Sequence, residues 1–280
     1  MRATRDAAIV VIAALAVLVA VVAYRAGDAA VSSVADKDTL VIGVEDDKPG
    51  LGTRTPAGTF TGFEVDVATY VAGRLGVSEG ALRFVAIHPG DWERALRRGE
   101  VDLVFAGYPI TPQLADRVTV AGPYYVAHQS ILVRADDKSI QNVRDLRGKR
   151  LCQVAGTRAA DHIIEDLDVA AVPVPAPSYA DCAQRLAGKD LDAVSADDLI
   201  LAGIAATVSD SAVVIVNAPF TDERYGVGLQ KGDIRGCAAV NRAITEMYQS
   251  GAANTMLTQG FGSPGLSRVT GTAPSFEGCA

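Results

Sequence analysis

The chain has 280 residues, 49% of them hydrophobic, and a formal net charge of −7. That is enough apolar material for one large domain or two smaller ones. The acidic balance, with a sequence pI near 5.0, leaves no basic footprint for nucleic acid and speaks mainly for solubility.

The N-terminus stands apart from the rest. Met1 to Asp6 carries Arg2 and Arg5, and Ala7 to Ala23 is an unbroken apolar run ended by Arg25 and Asp28. A positive flank before an apolar core is an export signature. The run is long for a signal core and just long enough to cross a bilayer. Two readings of residues 1–28 therefore stand: an uncleaved membrane anchor, or a signal cleaved after Val21-Val22-Ala23. The positive end stays in the cytoplasm in both, which puts the bulk of the chain outside. Residues 29–38 are small and polar and read as a linker.

Thr39 to Val44 is β-rich and gives way to Glu45-Asp46-Asp47 and Pro49-Gly50, a strand and then a loop. Phe63, Val67, Val71 and Leu75 recur at helical spacing and stop at Gly76. Leu82 to Ile87 predicts a strand, Trp92 to Arg98 a helix stopped by Gly99, and Val101 to Phe105 a strand. The pattern restarts after Val133. Leu151 to Val154 predicts a strand, and Gly156-Thr157-Arg158 opens a helix running to about Asp166. Val172-Pro-Val-Pro175 is limited to a sheet edge by its prolines. Tyr179 to Ala187 predicts a helix, Leu191 to Val194 a strand, Asp197 to Ala205 a helix and Ala212 to Val216 a strand. Gly226 to Leu229 and Cys237 to Gln249 complete the series as strand and helix. Strands alternating with helices, in two similar cycles, predict parallel α/β architecture.

The four cysteines, Cys152, Cys182, Cys237 and Cys279, are an even count in an exported chain and suggest disulfides, with three pairings open. Their spacings fit no zinc motif, and there is no CxxC. His88, His128 and His162 are scattered and share no motif. No nucleophile elbow, P-loop or His-Glu-x-x-His occurs. Asp46-Asp47 and Asp197-Asp198 are adjacent carboxylates of the kind that solvated loops carry. No enzyme, metal or cofactor is predicted.

Five motifs arrive in a telling order: GFEVDVA at 62–68, GEVDLVFAG at 99–107, AGPYYVAHQSILV at 121–133, DAVSADDLILAG at 192–203 and RYGVGLQKGD at 224–233. Together they resemble the polar amino-acid solute-binding proteins of ABC importers (family 3), most of all the glutamate/glutamine type of Gram-positive bacteria. The resemblance implies a periplasmic-binding-protein type II fold, two α/β lobes joined by a hinge. The first lobe would comprise residues 39–126 with a return at 223–280, and the second residues 127–222. The chain would cross between them near Tyr124 to Arg134 and near Pro219 to Gly228. The pairing Cys152–Cys182 with Cys237–Cys279 then keeps each bridge within one lobe. The resemblance also implies an amino-acid ligand, an ABC permease as partner and an extracytoplasmic location. No Cys precedes Cys152 to take a lipid, so the N-terminal helix would be the tether to the membrane.

An enclosed amino acid needs a cation or N–H donors for its carboxylate and a carboxylate for its ammonium. The resemblance places the carboxylate clamp on Ala106 to Leu114, a segment whose Tyr108 is counted with the ligand-binding set. The family has Ser or Thr where this chain has Pro109, and Arg where it has Leu114. Both donors are gone, and Arg117, about one helical turn on, is the substitute within reach. Asp197 matches the ammonium-binding Asp; the plain alternative is a helix N-cap. Gly156 and Thr157 match the loop that meets the ligand carboxylate, or simply cap a helix. Lys48 and Arg54 face the cleft as partners for a side-chain carboxylate, or are solvated loop charge. Trp92 walls the cleft or fills the core, and Tyr225 packs at the hinge. The implied function is solute capture for a polar amino-acid importer. A membrane-anchored sensor or interaction protein on the same scaffold is the alternative, and a ligand without an α-carboxylate, held by Asp197, is a third reading.

Overall fold

A five-stranded mixed sheet organises the first half of the fold, and a three-stranded antiparallel sheet with a parallel strand pair the second. A computed structural model describes residues 32–88, 90–208, 212–216, 218–261 and 272–279. The predicted signal or anchor at 1–28 lies outside the described residues, among which no helix is long and apolar enough to cross a membrane.

The first sheet contains β1 (Leu40–Val44), β5 (Leu82–Ala86), β6 (Leu103–Phe105), β7 (Thr119–Ala127) and β13 (Glu223–Leu229), in the order β5-β1-β6-β13-β7. A small antiparallel sheet of β2 (Asp47–Lys48), β3 (Gly52–Arg54) and β4 (Phe60–Thr61) follows β1. In the second half β11 (Val194–Asp197) and β12 (Val213–Val216) flank β8 (Gln129–Arg134), and β9 (Arg150–Val154) pairs with β10 (Val172–Ala176). An isolated parallel bridge, Leu151 to Ala193, joins β9 to the run that enters β11.

The sheets are not wholly parallel as the alternating pattern predicts. β1, β5 and β6 run parallel, but β13 pairs antiparallel with both β6 and β7. β13 enters the first sheet from the second, so it lies against the direction of the strands already there. The predicted strand at Leu191 to Val194 begins only at Val194; the run before it pairs with β9 through Asp192 N and Ala193 N, both donating to Arg150 O, and the Asp192 carboxylate accepts from Arg150 N at 2.8 Å.

Helix α1 (Phe63–Arg74) buries the stripe Phe63, Val67, Ala68 and Val71. Its N-cap is Gly62, which offers no side chain. The first-turn N–H groups of Phe63 and Glu64 donate instead to Gly50 O and Leu51 O at 2.9 Å each, which pins the β2–β3 turn to the helix start. Helices α2 (Trp92–Arg98) and α3 (Pro112–Ala115) follow. The helix predicted to reach Asp166 is regular only over α4 (Ala159–Asp161) and continues as a π-helical turn, His162–Asp166. Then come α5 (Tyr179–Ala187), α6 (Asp198–Ala205), α7 (Ile234–Gln249) and α8 (Ala252–Phe261). The periodicity reading did not anticipate α8.

Both disulfides pair within one half. Cys152–Cys182 ties β9 to α5, and Cys237–Cys279 fastens the C-terminal segment to α7. Closing loops of 30 and 42 residues, they restrict the unfolded chain by about 3.5–4 kcal/mol each.

Residues 33–37, read from sequence as linker, are docked on the first half. Val34 is buried, and its N–H donates to Asp233 Oδ2 at 2.9 Å. Asp36 pairs with Arg235, and Lys37 with Asp102. Asp233 also caps α7, accepting from Gly236 N at 2.8 Å. One carboxylate thus serves a helix start and a docked segment. Asp233→Ala is expected to cost about 2 kcal/mol or more in urea unfolding, because it leaves two buried N–H groups unsatisfied; a loss under half that would mean the segment contributes little to stability.

Candidate ligand-binding cleft

The polar residues of interest gather where strands end. β1 delivers Glu45, β6 delivers Ala106 to Ile110, β9 delivers Gly156-Thr157 and β11 delivers Asp197. In open α/β sheets ligands bind at the carboxyl ends of strands, where loops diverge.

Asp197 holds the N-cap position of α6 with extended backbone, φ −66° and ψ 151°, yet its side chain caps nothing. It accepts a hydrogen bond from the hydroxyl of Tyr225, on β13 in the other half. Capping falls to Asp198, which accepts from Leu199 N at 2.8 Å and from the Tyr125 hydroxyl at 3.2 Å. The Tyr225–Asp197 and Tyr125–Asp198 bonds both run from the first sheet to the second half, the one to the end of β11 and the other to the start of α6. Burial pushes the Asp197 carboxyl up, opposed by the Tyr225 hydroxyl and the Lys48 charge, and pushes Asp198 up to about 6.

Gly156 has φ +79°, a conformation glycine adopts without steric cost. Thr157 folds over it, its hydroxyl donating to Val154 O at 3.0 Å, and lies beside the Tyr179 hydroxyl. Lys48, with 14% of its side chain exposed, forms an ion pair with Glu45. Burial opposes its charge, but Glu45 and Glu64 together raise its pKa above the ordinary value, and its charge reaches Tyr179 and Asp197 across the cleft. Burial pushes Glu45 up as well, against the pull of Lys48. Glu64, fully buried on α1, is pushed up to about 7 by burial first and by Glu45 second. Its Oε1 accepts from the Tyr124 hydroxyl at 2.5 Å, and its Oε2 has no hydrogen-bond partner.

The other expected residues are placed differently. Arg117 is exposed and pairs with Glu93 at 3.0 Å. Arg54 is exposed on its own hairpin, its guanidinium over Phe60 at 5.5 Å and its Nε donating to Gly58 O. Trp92 is core, 2% exposed, packed in one cluster with Leu96, Val104 and Leu114. It does not wall the cleft; Tyr108 covers it, ring centroids 4.4 Å apart. Leu114 is buried in that same cluster. Pro109 opposes Tyr225 in an antiparallel bridge whose hydrogen bonds run through its neighbours, Gly226 N to Tyr108 O at 3.0 Å and Ile110 N to Arg224 O at 2.8 Å. Its missing N–H therefore costs nothing there. In this segment Leu114 serves packing and Pro109 strand pairing.

Sequence reasoning assigned no role to Glu45, Glu64 or Tyr179. For Glu64 a signal existed: with Val67, Ala68 and Val71 it stands at i, i+3, i+4 and i+7, on the buried stripe.

Two α/β halves, crossed by paired strands and facing each other with polar side chains at their strand ends, define a hinged binding protein of the periplasmic type. Residues 40–263 match the model of the bacterial extracellular solute-binding proteins, family 3, and the chain belongs to that family. It is a solute-binding protein and not an enzyme. It is 32% identical over 255 residues to the glutamate-binding protein GluB of Corynebacterium glutamicum, covering 88% of this chain and 86% of that one. It is 28% identical to the ABC transporter glutamine-binding protein GlnH of Bacillus subtilis, over 79% of this chain and 80% of that one. Among solved structures it is similar to an ancestral arginine-binding protein bound to glutamine, with TM-score 0.68, 27% identity, and coverage of 81% of this chain and 99% of that one.

Proposed function

We propose that the chain is the extracytoplasmic binding component of an ABC importer for polar amino acids of the glutamate/glutamine class. The ligand is held in the cleft between a first lobe (39–126 and 223–280) and a second lobe (127–222). The observation that carries this reading is Asp197, which caps nothing at the start of α6 and is turned to the Tyr225 hydroxyl of the other half. Asp197 takes the ligand ammonium: a carboxylate holding one tyrosine hydroxyl keeps lone pairs for a second donor. The Gly156-Thr157 loop takes the α-carboxylate, the Thr157 N–H leaving Val154 O, to which it donates at 3.2 Å, to do so. The GluB and GlnH names support the ligand class, and the apolar run at 7–23 supports export and a tether near the permease.

The test is calorimetry with the common polar amino acids. Asp197→Asn is expected to weaken the bound one at least about 10-fold, the worth of one charge-assisted hydrogen bond. Unchanged affinity in a folded variant would remove Asp197 from the site.

A further inference from the structure

The β7–β13 ladder is interrupted by a bulge. Between the pairs Tyr125↔Tyr225 and Ala121↔Val227, β7 spends Gly122, Pro123 and Tyr124 where β13 spends only Gly226. Residues that leave a ladder need other partners for their backbone groups. Helix α7 supplies some of them: Asn241 Oδ1 accepts from Gly122 N at 2.7 Å, and the Tyr248 hydroxyl donates to Tyr124 O at 3.0 Å. The C-terminal segment supplies another, Glu277 N donating to Gly122 O at 3.4 Å. The same segment holds Arg224, at the entry of β13: Glu277 pairs with its Nε at 2.6 Å, and Ser275 O accepts from its Nη2. Phe276 packs on the core, and Cys279 locks the segment to α7 through Cys237. The Asn241 amide joins lock to bulge, its Nδ2 lying 3.4 Å from Cys279 Sγ. Residues 272–279 thus strap β7 and β13 beside the place where the chain crosses between halves. They lie beyond the family match, which ends at residue 263. The two disulfides differ in access. Cys152, Cys182 and Cys237 are buried, whereas Cys279 is only half-buried, and exchange with a thiol needs a sulfur within reach.

We propose that Cys237–Cys279 is a thiol-exchange site whose opening releases the strap, so that solute capture depends on the redox state of this one bridge. The reductant is a dithiol. One of its thiolates attacks Cys279 Sγ; the S–S bond breaks, and Cys237 leaves as a thiolate and takes up a proton. The second thiol, deprotonated, attacks the mixed disulfide, and Cys279 leaves in the same way. The dithiol is oxidised to its disulfide, and the protein bridge is reduced to a pair of thiols. With the lock open, the segment keeps only its contacts with Arg224, Gly122 and the core, and it frays. Arg224 then loses its partners, and its neighbour Tyr225 is the residue that reaches Asp197 in the other half. Capture must re-order that strand end, so binding weakens. This consequence for capture rests on the reading of the cleft as an amino-acid site; the exchange site and the strap do not.

The experiment treats the intact protein with dithiothreitol and maps the freed thiols by alkylation and mass spectrometry, beside hydrogen exchange and calorimetry with glutamine and glutamate. Cys237 and Cys279 are expected to be alkylated while Cys152 and Cys182 stay paired. In that state, exchange in peptides covering 119–127 and 223–229 should quicken at least about 10-fold. Affinity for whichever amino acid binds the oxidised protein should fall at least about 5-fold. Glu277→Gln, with the bridge closed, should quicken the same peptides to a lesser degree, and it decides the matter if reduction unfolds the chain. Opening of Cys152–Cys182 first overturns the proposal, as does unchanged exchange in both the reduced protein and the variant. Quickened exchange with unchanged affinity overturns the link to capture. Failure of both amino acids to bind the oxidised protein removes the amino-acid reading, and exchange alone then upholds or overturns the strap.

Discussion

Gly203→Ala is expected to abolish ligand capture while leaving the protein folded. Gly203 lies in the middle of α6, where alanine is the better helix former by about 1 kcal/mol. Nothing in the helix itself resists the change. The obstacle is across the cleft: a Cβ at this position would lie 1.7 Å from the carbonyl oxygen of Pro49 and 2.8 Å from its carbonyl carbon. Those are backbone atoms of the β2–β3 turn, and that turn cannot easily yield, because Gly50 O and Leu51 O hold the first N–H groups of α1. One methyl group is therefore a wedge between the halves. Affinity for the ligand should fall at least about 100-fold, the equivalent of about 2.7 kcal/mol, as the halves are forced apart at this contact. Calorimetry beside a thermal melt separates the two effects. Wild-type affinity in the variant would show that the contact between α6 and Pro49 is no part of the bound state.

Folding stability should fall as pH rises from about 4.5 to about 7, the span over which Glu64 is displaced from its ordinary value. Its pKa is higher in the folded than in the unfolded state, so the folded state binds the extra proton and is favoured where that proton is present. The contribution is complete below the unfolded value, is lost as pH climbs through the folded one, and is flat beyond. The displacement corresponds to about 3 kcal/mol. Burial acts the same way on Asp198, up at about 6. Asp192 works in the opposite sense: Arg150 holds it down at about 2, so its stabilisation is present above its ordinary 3.8 and is lost on strong acidification. A mildly acidic optimum follows. Glu64→Gln keeps an acceptor for the Tyr124 hydroxyl and replaces the unpartnered Oε2 with an amide, so it should remove most of the fall. Urea unfolding across this range tests it; parallel curves for variant and wild type would mean that Glu64 ionises in the folded protein without cost.

Much of this was legible in the sequence, and the gaps have physical causes. Helices with a clear stop, such as Trp92–Arg98 before Gly99 and Tyr179–Ala187 before Gly188, coincide with their predicted bounds. Direction within the sheets was not legible, because strand polarity depends on the route of the chain between halves and not on the composition of β13. Among site residues, the adjacency of Asp197 and Asp198 hid a division of labour, one carboxylate capping α6 and the other turned to Tyr225. Arg54, Arg117 and Lys48 look equivalent as isolated charges. What separates them is the partner each finds in the fold: an aromatic ring on its own hairpin, a glutamate one helix away, or a buried glutamate in the cleft.

The docking of residues 33–37 has a mechanical side. Their partners, Asp102 ahead of β6 and Asp233 and Arg235 at the start of α7, all belong to the half built on the first sheet. Any pull applied through Ser33 therefore falls on that half alone. The half carrying α6 and Asp197 takes none of it through these contacts.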